Sequence, residues 1–445
     1  MFLPEYEWCF VIWLAAIAVQ VARTWVGRPT AGMTLACIAS LALVHLVAEV
    51  CYWMAGYMSP DRLASMLGFR IAAMGILGYT LGVLLFDLIT YGQRNGKSVD
   101  AVSMLNWREQ YGVGIRIVLV GIVLYFTGIL IGFGAIPGLS AVFGGTLTVV
   151  VSGILLNWHA NRRARRPDKA LMWALGLMLL PLFGVVLQGF IGFGMSAVLV
   201  ASCFILGRTR IRWWSVPLGV AAVYFGLSLW ITYAEVRAEL RQQVWIQKSD
   251  LSSRLLFLSE KVIGQFKLLD IDDQEQLVLL ERLDQNMLVG KSANYINSGG
   301  IAYAEGDTLI DALLALVPRL VWKDKPNYGG SGTVVSRYTG IRFDATTSIG
   351  VGQILELYIN YGLECVFIGM MVIGLIVAAF DSMAGNCLNR GDVWGFVTAY
   401  VIAQPLMLSQ GNYAEVTAAM FGGWILTRIL RFIGGGWVEE LRMKQ

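Results

Sequence analysis

Residues 352–380 read GQILELYINYGLECVFIGMMVIGLIVAAF, and this stretch decides the fold. Glu356 and Glu364 are its only charges, both in its first half, and everything from Cys365 to Phe380 is apolar or glycine. Crossing a bilayer core takes about 20 apolar residues of helix. Polar and apolar residues do not alternate here as they do in a strand. Backbone immersed in lipid must satisfy its own hydrogen bonds, so the stretch predicts a membrane-spanning helix.

Working outward, ten more apolar runs lie near 8–24, 33–56, 69–89, 115–136, 141–158, 170–187, 189–206, 213–233, 393–408 and 416–434. The expectation is an all-α polytopic membrane protein with about eleven transmembrane helices. Composition agrees: 57% of the 445 residues are hydrophobic and 14% are charged, against about 25% charged in soluble domains. The mean hydropathy is +0.63. A soluble enzyme is excluded. The six cysteines form no CxxC pair and mostly lie in or beside apolar runs, where a free thiol behaves as a small hydrophobe. No basic stretch lies away from the membrane-flanking loops, so nucleic acid is not an expected partner.

Lys and Arg gather on the cytoplasmic side of membrane proteins. One orientation puts Arg23, Arg28, Arg94, Lys97, Arg108, Arg116, the Arg162–Lys169 cluster, Arg208, Arg210, Arg212, Arg390, Arg428, Arg431, Arg442 and Lys444 together inside. The short outer loops then hold only Arg62 and Arg70. This predicts an outside N-terminus and a cytoplasmic C-terminus. Residues 1–233 would carry helices one to eight, and 350–445 helices nine to eleven and the cytoplasmic tail.

Between them, residues 234–349 form a large extracytoplasmic loop with 13 basic and 15 acidic residues, 28 of the chain's 64 charges. A structureless loop of that length is uncommon unless it is functional. Its first half shows helical spacing, through Leu255–Leu269 and Leu277–Leu288, and predicts amphipathic helices capping the outer surface. Its second half, rich in Gly, Asn, Tyr and Ser, is expected to be irregular.

Catalytic equipment of the soluble kind is scarce. There is no P-loop, HExxH, GxSxG or dinucleotide fingerprint. His45 lies four residues before Glu49 within the second apolar run. An intramembrane Glu is a functional candidate by default, and a helix-locking His–Glu pair is the plainer reading. The segment 316–363 is richer. Val317-Pro318-Arg319-Leu320-Val321-Trp322-Lys323-Asp324-Lys325-Pro326 fixes an extended or kinked backbone, followed by the flexible Asn327–Gly332. Ser336, Arg337, Tyr338, Arg342 and Asp344 come next, then Thr346–Gly350, and then a helix opening with Glu356, Tyr358, Asn360 and Tyr361. Guanidinium forks suit pyrophosphate oxygens, which makes Arg319, Arg337 and Arg342 candidate ligands, with Arg282, Arg254 and Lys325 behind them. The alternative is that these charges only keep the loop solvated.

Pro318-Arg319-x-x-Trp322-Lys323-x-Lys325-Pro326, then Thr347-Ser348-Ile349-Gly350, then Glu356-Leu357-Tyr358-Ile359-Asn360-Tyr361-Gly362, resembles the Wzy-type polymerases of O-antigen and exopolysaccharide repeat units. Lys323 stands where the family usually has proline. The specific resemblance covers about 50 residues. It implies a metal-independent, GT-C-like glycosyltransferase of the bacterial cytoplasmic membrane, with no cofactor. Such an enzyme joins oligosaccharide units carried on undecaprenyl pyrophosphate at the outer leaflet, with flippase and chain-length regulator proteins as partners. On that reading Arg319, Arg337, Arg342, Arg282, Arg254, Lys325, Tyr338 and Tyr358 hold the substrate and its pyrophosphate. Glu356, or else Asp344, takes the acceptor proton. A carboxylate at a helix start can equally be a dipole partner. An O-antigen ligase, a lipid-linked oligosaccharide flippase and a non-enzymatic scaffold are the rival readings. Residues 234–349 hold no histidine, which tilts the choice away from a ligase.

Overall fold

The computed structural model describes residues 4–26, 28–91, 107–131, 139–189, 191–209, 215–247, 249–317, 322, 330–343 and 349–437. Arg319, Lys325 and Asp344 lie outside the described residues, as do Arg94, Lys97, Arg210, Arg212, Arg442 and Lys444.

The regular secondary structure of the described residues is all helical, with no strand among them. Helices α1 (Pro4–Trp25), α2 (Met33–His45), α3 (Val47–Ala55) and α4 (Arg62–Tyr91) are followed by α5 (Trp107–Ile131), α6 (Leu139–Gly144) and α7 (Thr146–Arg163). Next come α8 (Pro167–Leu177), α9 (Leu180–Gln188), α10 (Gly192–Arg208) and α11 (Ser215–Arg241). Short helices α12 (Leu251–Leu258), α13 (Gln274–Leu280), α14 (Asn286–Asn297), α15 (Asp307–Leu314) and α16 (Ser331–Thr339) precede the long α17 (Gln353–Arg390), α18 (Val393–Met407) and α19 (Tyr413–Gly434).

Among the described residues nine helical segments are long and apolar enough to cross a membrane, from Tyr6–Trp25 to Tyr413–Gly434. The other two of the eleven expected runs form shorter apolar helices, Gly194–Arg208 and Val393–Met407. At 1.5 Å per residue each is about 22 Å long, less than a ~30 Å hydrocarbon core. Pro405 stands near the end of the second, and its chain leaves the helix at Leu408. Helix α11 runs past residue 234 to Arg241 without a break, so the eighth span merges into the loop it was expected to precede.

Helix packing without water needs close backbone approach, which small residues allow. A Cβ added at Gly78 would stand 2.3 Å from the Phe367 carbonyl oxygen, and one at Gly82 2.0 Å from that of Met371. From the other side, one at Gly374 would meet the Tyr79 carbonyl at 2.2 Å. Helices α4 and α17 therefore run side by side in backbone contact, in the same direction. The same device seats α14 on the start of α4, where Gly68 faces the Asn286 carbonyl and Gly290 that of Ala64.

These contacts define two ends of the bundle. At one end lie Tyr6, Glu49, Arg62, Gly352 and Tyr413, covered by α14, α15 and α16. At the other, Arg23 binds Asp87 at 2.7 Å and Arg28 joins the same carboxylate. Asp381 there accepts from Ala31 N at 2.7 Å, Met33 N at 3.1 Å and the Thr30 and Thr34 hydroxyls. Arg23 and Arg28, read from sequence as topology markers, are thus also ion-pair partners inside the bundle. The second half of the loop, expected to be irregular, contains α15 and α16; each packs an apolar side onto the bundle.

Candidate functional site

Helix α17 is two pieces. Tyr361 (φ −144°, ψ 26°) and Gly362 (φ 72°, ψ −149°) leave helical geometry, and the second conformation is one that only glycine adopts readily. The piece before the break, Gln353–Asn360, is buried on every side. Its polar side chains find partners within the protein, although of Gln353 only the Nε2 does so, donating to Leu406 O at 3.0 Å, while its buried Oε1 has none among the described residues.

Glu356, 2% exposed, accepts a hydrogen bond from the backbone N–H of Tyr413 at 2.7 Å. Tyr413 opens α19, so this carboxylate sits at the positive end of another helix and satisfies one of its orphan donors. The Asn412 side chain caps the same helix by accepting from Glu415 N at 2.7 Å. Asn360, one turn on, accepts from Gly306 N at 3.0 Å and donates to the Thr308 hydroxyl at 2.7 Å. Thr308 in turn bonds Glu356. Tyr358 is hydrogen-bonded to Tyr303 and Asn297, its ring centroid 6.3 Å from that of Tyr303. The Tyr361 hydroxyl donates to the Glu305 carbonyl, beside a left-handed backbone at Glu305 (φ 48°). An open depression lined by Tyr303, Glu305, Tyr361 and Glu364 marks the surface over the break.

The chain flanking the resemblance segments converges on this region. Before residues 318–321, Ala312 of α15 accepts from the Thr417 hydroxyl of α19 at 2.6 Å. After residues 323–329, Ser331 of α16 bonds Glu415 at 3.0 Å and Asn412 at 3.2 Å. After residues 344–348, a Cβ at Gly350 would stand 2.4 Å from the Gln410 carbonyl, and Gln353 N donates to Ser409 O at 3.1 Å. The described residues on either side of these segments thus meet α19 or the turn that opens it.

Of the described candidates, Glu356 and Tyr358 lie on α17 and Arg337 and Tyr338 on α16, two helices that both pack against α14, and Arg342 follows α16. Arg337 and Arg342 are exposed. The Arg337 guanidinium lies 5.4 Å from the Tyr338 ring, which is itself 3% exposed; burial raises the Tyr338 phenol above its ordinary value. Arg254 and Arg282 lie elsewhere. Arg254 donates to Val186 O at 3.0 Å, tying α12 to α9. Arg282 is exposed beside Arg237 and Arg241 of α11.

A second polar cluster escaped the sequence reading in all but two members. Glu49 pairs with Arg62 at 2.7 Å, both 1% exposed or less. Tyr6 donates to Glu49 at 2.5 Å and accepts from Arg62 at 2.6 Å. His45 and Glu49 do not bond each other. Asn286 joins them, with its Oδ1 2.7 Å from His45 Nδ1 and its Nδ2 donating toward Glu49 at 3.4 Å. An Arg in a short connection after an apolar run containing Glu was the available signal for the pair; Asp284 and Asn286 gave none. Among the described residues no group of three or more His, Cys, Asp or Glu is placed to hold a metal ion.

The fold and these clusters define an all-helical membrane protein of the polytopic class, its spans capped at one end by short helices. Residues 104–402 match a family described as Domain of unknown function (DUF8712), and the chain belongs to that family. No curated protein and no solved structure matches it.

Proposed function

We propose that the protein is a GT-C-like polysaccharide polymerase of the bacterial cytoplasmic membrane, its capped end outward. It joins oligosaccharide repeat units carried on undecaprenyl pyrophosphate. The observation that carries the reading is that described residues flanking the segments that resemble Wzy-type polymerases, Ala312, Ser331 and Gly350, all meet α19 or the turn that opens it, as Glu356 does.

In the reaction, the bond from the sugar's anomeric carbon to the pyrophosphate of the growing chain breaks. A bond to a hydroxyl of the incoming unit forms, the hydroxyl proton goes to a base, and the electron pair leaves on the lipid pyrophosphate. Negative charge on that leaving group needs preorganised donors, a role that suits Arg319, Arg337 and Arg342, with Lys325. Arg254, tied to α9, and Arg282, beside α11, are assigned no contact. The Glu356 carboxylate already accepts from Tyr413 N and Thr308, which favours Asp344 as the base. Flippase and chain-length regulator proteins would work beside it. The excess of Arg at the end opposite the cap supports a cytoplasmic placement of that end.

Purified protein given a defined lipid-linked repeat unit should yield a ladder of chain lengths on a gel. A single transfer to another acceptor would mean a ligase. No covalent change would refute an enzyme of this class.

A further inference from the structure

A third carboxyl group belongs to the buried cluster at the capped end. The Ser65 hydroxyl oxygen lies 2.6 Å from Glu49 Oε1 and 2.5 Å from Asp284 Oδ2. One hydroxyl has one proton to donate. If it donates to one carboxylate, the other contact is a hydrogen bond only when that second carboxyl group carries a proton and donates to the serine oxygen.

The surroundings decide which group carries it. Glu49 faces the Arg62 guanidinium at 2.7 Å and also receives the Tyr6 hydroxyl, so its charge is compensated. Asp284, 4% exposed, receives one backbone N–H, from Asn286 at 2.9 Å, and forms no ion pair. We propose that Glu49, Ser65 and Asp284 hold one proton, resident on Asp284 and relayed through Ser65 to the Glu49 carboxylate, and that this proton latches the cap onto the spans.

Burial, and then the Glu49 charge, push the Asp284 carboxyl from its ordinary 3.8 up to about 8. The remaining ionisable groups around the site are Tyr6 on α1, His45 on α2, Tyr52 on α3, Arg62 on α4, and Tyr57 and Glu281 on the flanking turns. Lys291 of α14 pairs with Asp61 at 2.8 Å on the rim. Asp284 lies two residues before α14, whose far end bonds Tyr358 through Asn297. The latch therefore sits about 18 Å along one helix from the α17 half-helix.

The sign follows from proton counting. Latched protein holds the proton up to about pH 8, whereas a released, solvated aspartate loses it near 3.8. Release is thus coupled to proton loss. The latch is strongest in acid, weakens by about tenfold per pH unit as pH rises between these values, and is flat above them.

The full chain in phosphatidylcholine nanodiscs tests this directly. Infrared difference spectra between pH 6 and pH 10 should show a protonated-carboxyl band lost at high pH, and Asp284→Asn should abolish it. Hydrogen exchange of α14, corrected for intrinsic rates, should show opening increasing about 50-fold from pH 6 to pH 8 in the wild type, and no change with pH in Asp284→Asn. Ser65→Ala removes the relay but neither carboxyl group, so it should keep the band and shift its frequency. A wild type without the band, a band that survives Asp284→Asn, an unshifted band in Ser65→Ala, or unaltered pH dependence of α14 would each overturn the proposal.

Discussion

Replacing Asn360 with alanine tests whether the capping segment is seated on the half-helix of α17. The side chain is fully buried, accepts from Gly306 N at 3.0 Å, and donates to Thr308 at 2.7 Å and to the Glu356 carbonyl at 2.6 Å. Alanine leaves the buried Gly306 N–H without its acceptor, at about 1–3 kcal/mol. The Glu356 carbonyl keeps its helical donor and Thr308 keeps the Glu356 carboxylate, so those two losses are small. The small void adds about 1 kcal/mol. The sum, about 2–4 kcal/mol, raises opening of the 304–314 segment by about 30- to 700-fold. Hydrogen exchange should show that increase at 304–314 while α5 and α7 stay protected. Unchanged protection at 304–314 would refute the reasoning, as would a loss spread evenly over the bundle. Asn360→Asp should be worse than alanine, because it places a second carboxylate beside Glu356.

Gly82→Ala must separate α4 from α17, since its Cβ would stand 2.0 Å from the Met371 carbonyl; denaturant titration in detergent should show a loss of about 1–3 kcal/mol. Gly219→Ala, with nothing within 4 Å, should instead gain about 0.4–1 kcal/mol in the same titration. Arg62→Met leaves Glu49 as an uncompensated buried charge and should cost about 3–5 kcal/mol, with Arg62→Met/Glu49→Leu recovering most of it in thermal melts. Glu356→Gln still accepts from Tyr413 N and should melt close to wild type, whereas Glu356→Ala loses a helix cap at about 0.5–2 kcal/mol. If Glu356→Gln also polymerises at full rate, the proton-accepting role lies elsewhere.

Spans were legible because lipid imposes one simple rule on backbone, and a run such as 365–380 cannot obey it in any other conformation. The break at Tyr361–Gly362 was not legible. Gly362 is one of 50 glycines, and only its φ of 72° distinguishes it from those that let helices approach. Glu356 was singled out by the resemblance, as one of two carboxylates in an otherwise apolar run. Its partner, Tyr413 N, lies 57 residues away and belongs to a helix terminus, which side-chain patterns do not encode. The pairing of Glu49 with Arg62 was half visible, since each residue stands out, but local spacing joined Glu49 to His45 instead. Arg254 ranked behind Arg337 in the sequence, but only folding shows that it is tied to α9 through Val186 O while Arg337 lies on α16.

Leu363–Phe380 alone gives 18 residues of helix, about 27 Å, nearly the thickness of a ~30 Å hydrocarbon core. The eight residues before the break are therefore roof rather than pillar. A hydropathy plot assigns Glu356 and Asn360 to the membrane, where each would need a special excuse. Hinged off their span, they belong to the roof's joinery, and the bilayer exerts no selection against polarity there. Chemistry can change in that half-helix without altering how the chain inserts.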